Sequence, residues 1–143
     1  MKADYNAESG VPGNMAEIVP DRNLYEYAVV RYVPRVDRQE FINVGLIMMS
    51  KRRRWIRGAI WIDESRLRAF DPHVDIPRLC RQLTLFEDCE APGRDLPVEE
   101  RYRWLVASKS AVIQTSPSHP GFAEDPDVEF DRLLADLVKP PAL

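Results

Sequence analysis

One stretch limits what this chain can fold into: Leu24 to Met49, LYEYAVVRYVPRVDRQEFINVGLIMM, its longest apolar and β-favouring segment. Successive side chains of a strand point to opposite faces. Over Leu24 to Val33, one face carries Tyr25, Tyr27, Val29, Arg31 and Val33, and the other Leu24, Glu26, Ala28, Val30 and Tyr32. Both faces are mostly apolar, which predicts a central strand. Pro34 ends it, because proline cannot donate to a ladder. Pro34 to Gln39 reads as a polar turn. Phe41 to Met49 is a second strand, with Ile42, Val44, Leu46 and Met48 on one face and Phe41, Asn43, Gly45, Ile47 and Met49 on the other. Ser50 to Arg54 is a tight basic turn, and Trp55 to Ile62 a third strand. Connections this short favour antiparallel pairing, since parallel neighbours need a long crossover.

The second half is helical. Asp63 is placed to cap a short helix that ends before Asp71-Pro72, as the residue before proline disfavours the helical region. Asp75 caps a longer one, along which Ile76, Leu79, Cys80, Leu83 and Phe86 recur at helical spacing. Val98, Tyr102 and Leu105 mark a third. Ala111 to Thr115 is short and β-prone, a fourth strand, and Ser116 to Asp125, with two prolines and a glycine, reads as a loop. The last helix has the clearest signature: Asp125 as cap, Pro126 at the first helical position, Asp127 and Glu129 against the dipole, and a stripe of Phe130, Leu133, Leu134, Leu137 and Val138. Pro140-Pro141 stops it. Residues 1–22 show no sustained hydrophobic period and are expected to be a flexible leader. The expected architecture is α+β over residues 23–139: an antiparallel sheet of about four strands, with three to four helices packed mainly on one face.

Composition excludes several classes. No apolar run approaches bilayer length, and no signal peptide is visible, so a cytoplasmic protein without a membrane role is expected. Cys80 and Cys89 are the only cysteines and are expected to remain reduced thiols, buried or half-buried. They and two isolated histidines give no zinc spacing, and no glycine-rich phosphate loop is present; neither a metal nor a cofactor is expected. The net charge of −3 is unevenly spread. Lys51 to Gln82 holds nine basic and four acidic residues, and the chain from Leu83 onward holds twelve acidic and six basic.

YAVVRYVP and EFINVG, from Tyr27 to Gly45, resemble the opening of the bacterial domain-of-unknown-function 3037 family. IQTSPSHPG and the terminal DPDVEFDRLLADLV resemble later parts of it. The resemblance spans about Leu24 to Val138 and implies a small bacterial protein. It implies no activity. Its one suggestion of a partner is genomic: family genes often neighbour those of HipA-like kinases, the toxin class of some toxin–antitoxin systems.

Three constellations are candidates for function. Arg31 sits on a largely apolar face and needs a partner, because an unpaired buried charge is costly. Glu40 is the nearest in sequence and Asn43 offers two donors and an acceptor. The three form either a structural ion pair with a fixing amide or a small polar pocket. The loop residues Gln114 and Ser116, near His119, extend that pocket or merely brace a connection through local hydroxyl-to-backbone bonds. Arg52, Arg53, Arg54 and Trp55 combine cations with an aromatic ring, as phosphate gripping and base stacking require, or form a solvated hairpin tip. The readings rank as a non-catalytic protein partner, then a ligand-binding or enzymatic domain, then a nucleic-acid binder.

Overall fold

The computed structural model describes residues 22–90, 93–107 and 110–141, so all of the expected leader but Arg22 lies outside the described residues. Strands β1 (Leu24–Tyr32), β2 (Ile42–Ser50) and β3 (Trp55–Ile60) come first. Helices α1 (Glu64–Phe70), α2 (Ile76–Asp88) and α3 (Val98–Val106) follow, then β4 (Ile113–Thr115), β5 (His119–Phe122) and α4 (Pro126–Leu137). The fold is α+β. Its five-stranded antiparallel sheet runs β3-β2-β1, and β4 and β5 both pair with the far side of β1. β4 covers Val30 to Tyr32 and β5 covers Leu24 to Tyr27, so the two form one interrupted edge lane. β1 is therefore central, as its two apolar faces require.

The side-chain alternation sorts the core into two layers. Ala28, Val30 and Tyr32 of β1 face α1, α2 and α3, where Leu67, Leu79, Leu83, Phe86, Tyr102 and Leu105 cover them. Tyr25 and Val29 face α4, which contributes Phe130 and Leu133, with Val138 just beyond its last turn. Burying each large apolar side chain contributes about 1.5–3 kcal/mol. Three helices thus share one face and α4 takes the other. The helix starts follow the sequence: the Asp63, Asp75 and Asp125 carboxylates accept from backbone amides of the first turns. Two tyrosines brace the layers. Tyr32 donates to Asp71 Oδ2 at 2.6 Å beyond α1, and Tyr25 donates to Glu129 Oε2 at 2.5 Å on α4. Burial and the Glu129 hydrogen bond push the Tyr25 phenol up to about 12.

Two features of the sheet depart from the expectation. The first is a bulge in β2. Val30 pairs with Gly45 but Arg31 pairs with Asn43, leaving Val44 as an extra residue. Strict alternation places Val44 with Leu46 and Met48. Instead Ile42, Val44, Ile47 and Met49 face the three-helix layer, and Leu46 and Met48 face α4. Glycine is required beside Val44: a Cβ on Gly45 would stand 2.5 Å from Ile60 Cδ1 and 2.8 Å from the Ala59 carbonyl oxygen. The second is β5, which lies where a loop was expected. Pro120 and Gly121 are poor strand formers, but pairing with β1 overrides that preference. The Ala123 amide donates to the Asn23 carbonyl at 2.9 Å. Antiparallel alternation then turns the Gly121 and His119 amides toward β1 and gives Pro120 a position that faces outward.

Both cysteines are free, Cys80 exposed and Cys89 buried. Exposure of Cys80 differs from the expectation, because its helix turns that position away from the sheet. Burial, with Asp88 nearby, pushes the Cys89 thiol up to about 11. Among the described residues no helix is long and apolar enough to cross a membrane.

Candidate functional site

Arg31 lies in the middle of a cross-strand row, opposite Asn43 on β2 and Gln114 on β4. The β2 bulge aligns Asn43 here and turns it toward α4, where its Nδ2 donates to the Leu137 carbonyl at 2.9 Å. That bond satisfies a carbonyl in the last turn of α4 which has no partner within the helix. Gln114 Nε2 donates to the Ala111 carbonyl at 2.8 Å. The Arg31 guanidinium lies over the Phe41 ring, 4.0 Å from its centroid, a cation–π contact. Arg31 Nε and Asn43 Oδ1 are buried and have no hydrogen-bond partner among the described residues. One is a donor and the other an acceptor.

Glu40 does not join the row. It precedes β2 in an exposed connection and accepts from Arg38, Nε to Oε1 at 2.8 Å and Nη2 to Oε2 at 3.3 Å. That guanidinium holds the Glu40 carboxyl below the usual carboxylate range. Gln39, with a left-handed φ of 56°, turns the chain just before it. Among the described residues the charge of Arg31 is therefore met by an aromatic face rather than by a carboxylate.

Ser116 is the pivot of the interrupted edge. Its amide donates to the Val29 carbonyl at 2.8 Å, and its hydroxyl accepts from the Val29 amide at 2.9 Å. The hydroxyl takes the place that a backbone carbonyl holds in a regular ladder, and itself donates to the Pro117 carbonyl at 2.9 Å. A buried amide left without such a partner costs about 1–3 kcal/mol. The His119 ring lies 5.3 Å from that of Tyr27, on β5 rather than beside the Ser116 hydroxyl. One polar chain here was not anticipated: Tyr102 of α3 meets Ser118 Oγ at 2.7 Å, and Ser118 donates to Glu26 Oε1 at 3.0 Å. Because the one hydroxyl hydrogen of Ser118 goes to Glu26, Tyr102 is the donor to Ser118, and burial raises its phenol to about 12. Its helical spacing marks Tyr102 as core, but nothing in the sequence pattern joins it to Ser118.

The basic hairpin divides by use. Arg53 Nη2 donates to Asn23 Oδ1 and to the Glu124 carbonyl, each at 2.6 Å, tying the turn to the segment before α4. Trp55 meets Phe130 edge-on at 6.4 Å and 76°, within the core on the α4 side. Arg57 pairs with Asp127 and Asp131 at 3.2 and 3.1 Å and lies over Phe130. Arg52 and Arg54 stay exposed. The turn between them is closed by the Arg54 amide on the Lys51 carbonyl at 3.1 Å, with a φ of 52° at Arg54. With Arg22 and Lys51 they line one concavity of about 390 Å3. Among the described residues no carboxylate lines it. Glu99 stands at one margin, 3.7 Å from Lys51, and Glu26 lines the neighbouring hollow beyond Arg52. Among the described residues no group of three or more His, Cys, Asp or Glu is placed to hold a metal ion.

Comparison with known proteins returns no match among curated proteins and none among solved structures. A family model described as "Protein of unknown function (DUF3037)" matches residues 27–138. The matched span runs from β1 to the end of α4 and takes in the bulge, the Arg31 row and the hairpin. The chain therefore belongs to the DUF3037 family.

Proposed function

We propose that this protein is a non-catalytic interaction module that docks on an acidic surface of a protein partner. The observation that carries the reading is the concavity of Arg22, Lys51, Arg52 and Arg54. Other cations around it serve the fold: Arg53 and Arg57 bind specific acceptors, and Arg101 donates to the Leu96 and Cys89 carbonyls. Clustered like charges are unfavourable unless something opposes them, so an opposite charge from outside is the natural complement. Such complementarity speeds encounter and excludes wrong partners. The family resemblance supplies the partner class to try first, a HipA-like kinase. Co-expression and pull-down with such a kinase from the neighbouring gene is expected to recover a complex, and Arg52→Glu with Arg54→Glu to weaken it at least tenfold at about 0.1 M salt. No complex, together with unchanged kinase activity, retires the reading. Nucleic acid is the less favoured use of the same surface, because Trp55 is packed away and carboxylates border the concavity.

A second reading rests on the orphaned Arg31 Nε and Asn43 Oδ1. A small ligand that accepts from Arg31 Nε and donates to Asn43 Oδ1, as a primary amide can, would satisfy both, the Asn43 and Gln114 amide nitrogens being already bound to the Leu137 and Ala111 carbonyls. In a titration with acetamide, saturable shifts of the Asn43 side-chain amide resonances that vanish in Arg31→Met support it. Shifts that are absent, or persist in that variant, remove it.

A further inference from the structure

The interaction module proposed above leaves open what kind of anion its basic concavity takes, and we infer that it takes a phosphate monoester, presented as a phosphorylated side chain of the partner. The inference rests on that reading and adds a chemical class to it. Three of the four cations are arginines. Each guanidinium presents parallel N–H donors that bind oxyanions in pairs. A carboxylate has two oxygens and one charge, so it saturates with one or two such forks. A phosphoryl group has three terminal oxygens and a charge of about −1.5 to −2 at pH 7, and it can engage several forks and an ammonium together.

The placement is built rather than incidental. Lys51, Arg52 and Arg54 project from a four-residue turn held by its own backbone hydrogen bond. Arg53, between them, is fastened to Asn23, the residue after Arg22. That bond brings the start of β1 to the tip of the β2–β3 hairpin and so sets Arg22 beside the other three. The turn thus uses one of its cations to position the rest.

The borders argue for a single anionic group over a polyanionic strand. Glu99 is already within 3.7 Å of Lys51, and Glu26 lines the hollow that continues past Arg52. A nucleic-acid backbone leaving the concavity on those sides would meet carboxylates. One phosphoryl group seated among the four cations meets none among the described residues.

The test uses the full chain and three peptides of one sequence, carrying phosphoserine, glutamate or serine at the centre, titrated calorimetrically at about 0.05 and 0.3 M salt, with a single-stranded oligonucleotide as a fourth titrant. The phosphoserine peptide is expected to bind at least about tenfold more tightly than the glutamate peptide, a difference of about 1.4 kcal/mol, and the serine peptide not to bind. Arg52→Gln with Arg54→Asn is expected to reduce phosphopeptide binding at least about tenfold while leaving the thermal unfolding midpoint unchanged. Both side chains are exposed, and asparagine tolerates the left-handed φ at position 54. Equal affinity for the glutamate and phosphoserine peptides overturns the phosphoryl assignment and leaves acidic docking intact. So does a partner complex that survives phosphatase treatment unweakened. Tighter binding of the oligonucleotide than of the phosphopeptide, or no binding by any titrant, also overturns it.

Discussion

Gly58→Ala is expected to lower the unfolding free energy by about 3 kcal/mol, at the upper end of what overpacking a tight core costs. The last turn of α2 rests directly on β3 at this glycine. A Cβ there would overlap the Phe86 carbonyl oxygen and stand 3.1 Å from Cys89 Sγ. The obstacle is backbone, not the far end of a flexible side chain, so relief requires moving the helix end. That end is itself constrained: Cys89 closes it in a left-handed conformation, φ 55°, with its amide on the Leu85 carbonyl. Moving it would disturb Leu83 and Phe86, which fill the three-helix layer. Urea unfolding monitored by circular dichroism measures the loss. A change below about 0.5 kcal/mol, the range of an ordinary surface substitution, would mean that α2 does not lie on β3 at this point.

Phe130→Ala should cost about 3–5 kcal/mol, and its effect is confined to the other layer. Among the described residues α4 is the one helix that covers this face of the sheet. Phe130, fully buried, is its largest peg. The ring also receives the edge of Trp55 and the guanidinium of Arg57. Truncation therefore opens a cavity and removes two further contacts. Phe130→Leu keeps most of the volume and is expected to recover more than half of the loss in the same unfolding measurement. If alanine and leucine at this position cost the same, cavity formation is not what holds α4 in place.

The parts of this architecture that were legible are those decided locally. The three aspartate caps, the proline at the start of α4 and the alternation of β1 each arise from neighbours in sequence, and they appear where the pattern puts them. The bulge escaped because a period of two assumes that no residue is extra. Val44 is apolar and suits either face, so only the close approach at Gly45 betrays it. β5 escaped because its residues have little strand preference of their own and are held by β1. The candidate residues divide on the same principle. Gln114 and Asn43 join Arg31 because three strands align them, whereas Glu40 was placed there by sequence proximity and Arg38 lies closer in space. In the hairpin, nothing local distinguishes Arg53 from Arg52 and Arg54. The difference comes from Asn23 and Glu124, which are remote along the chain.

The outward position of Pro120 limits how anything can bind along the β4–β5 side. A peptide that joins a sheet as an extra strand relies on an uninterrupted rank of main-chain donors and acceptors. Here that rank lacks a donor at Pro120 and is broken again where the chain leaves the sheet after Thr115. Neither β4 nor β5 offers more than four consecutive paired residues to template against. Recognition on this side must therefore pass through side chains. A partner contributing only an extended backbone would find no continuous track to follow.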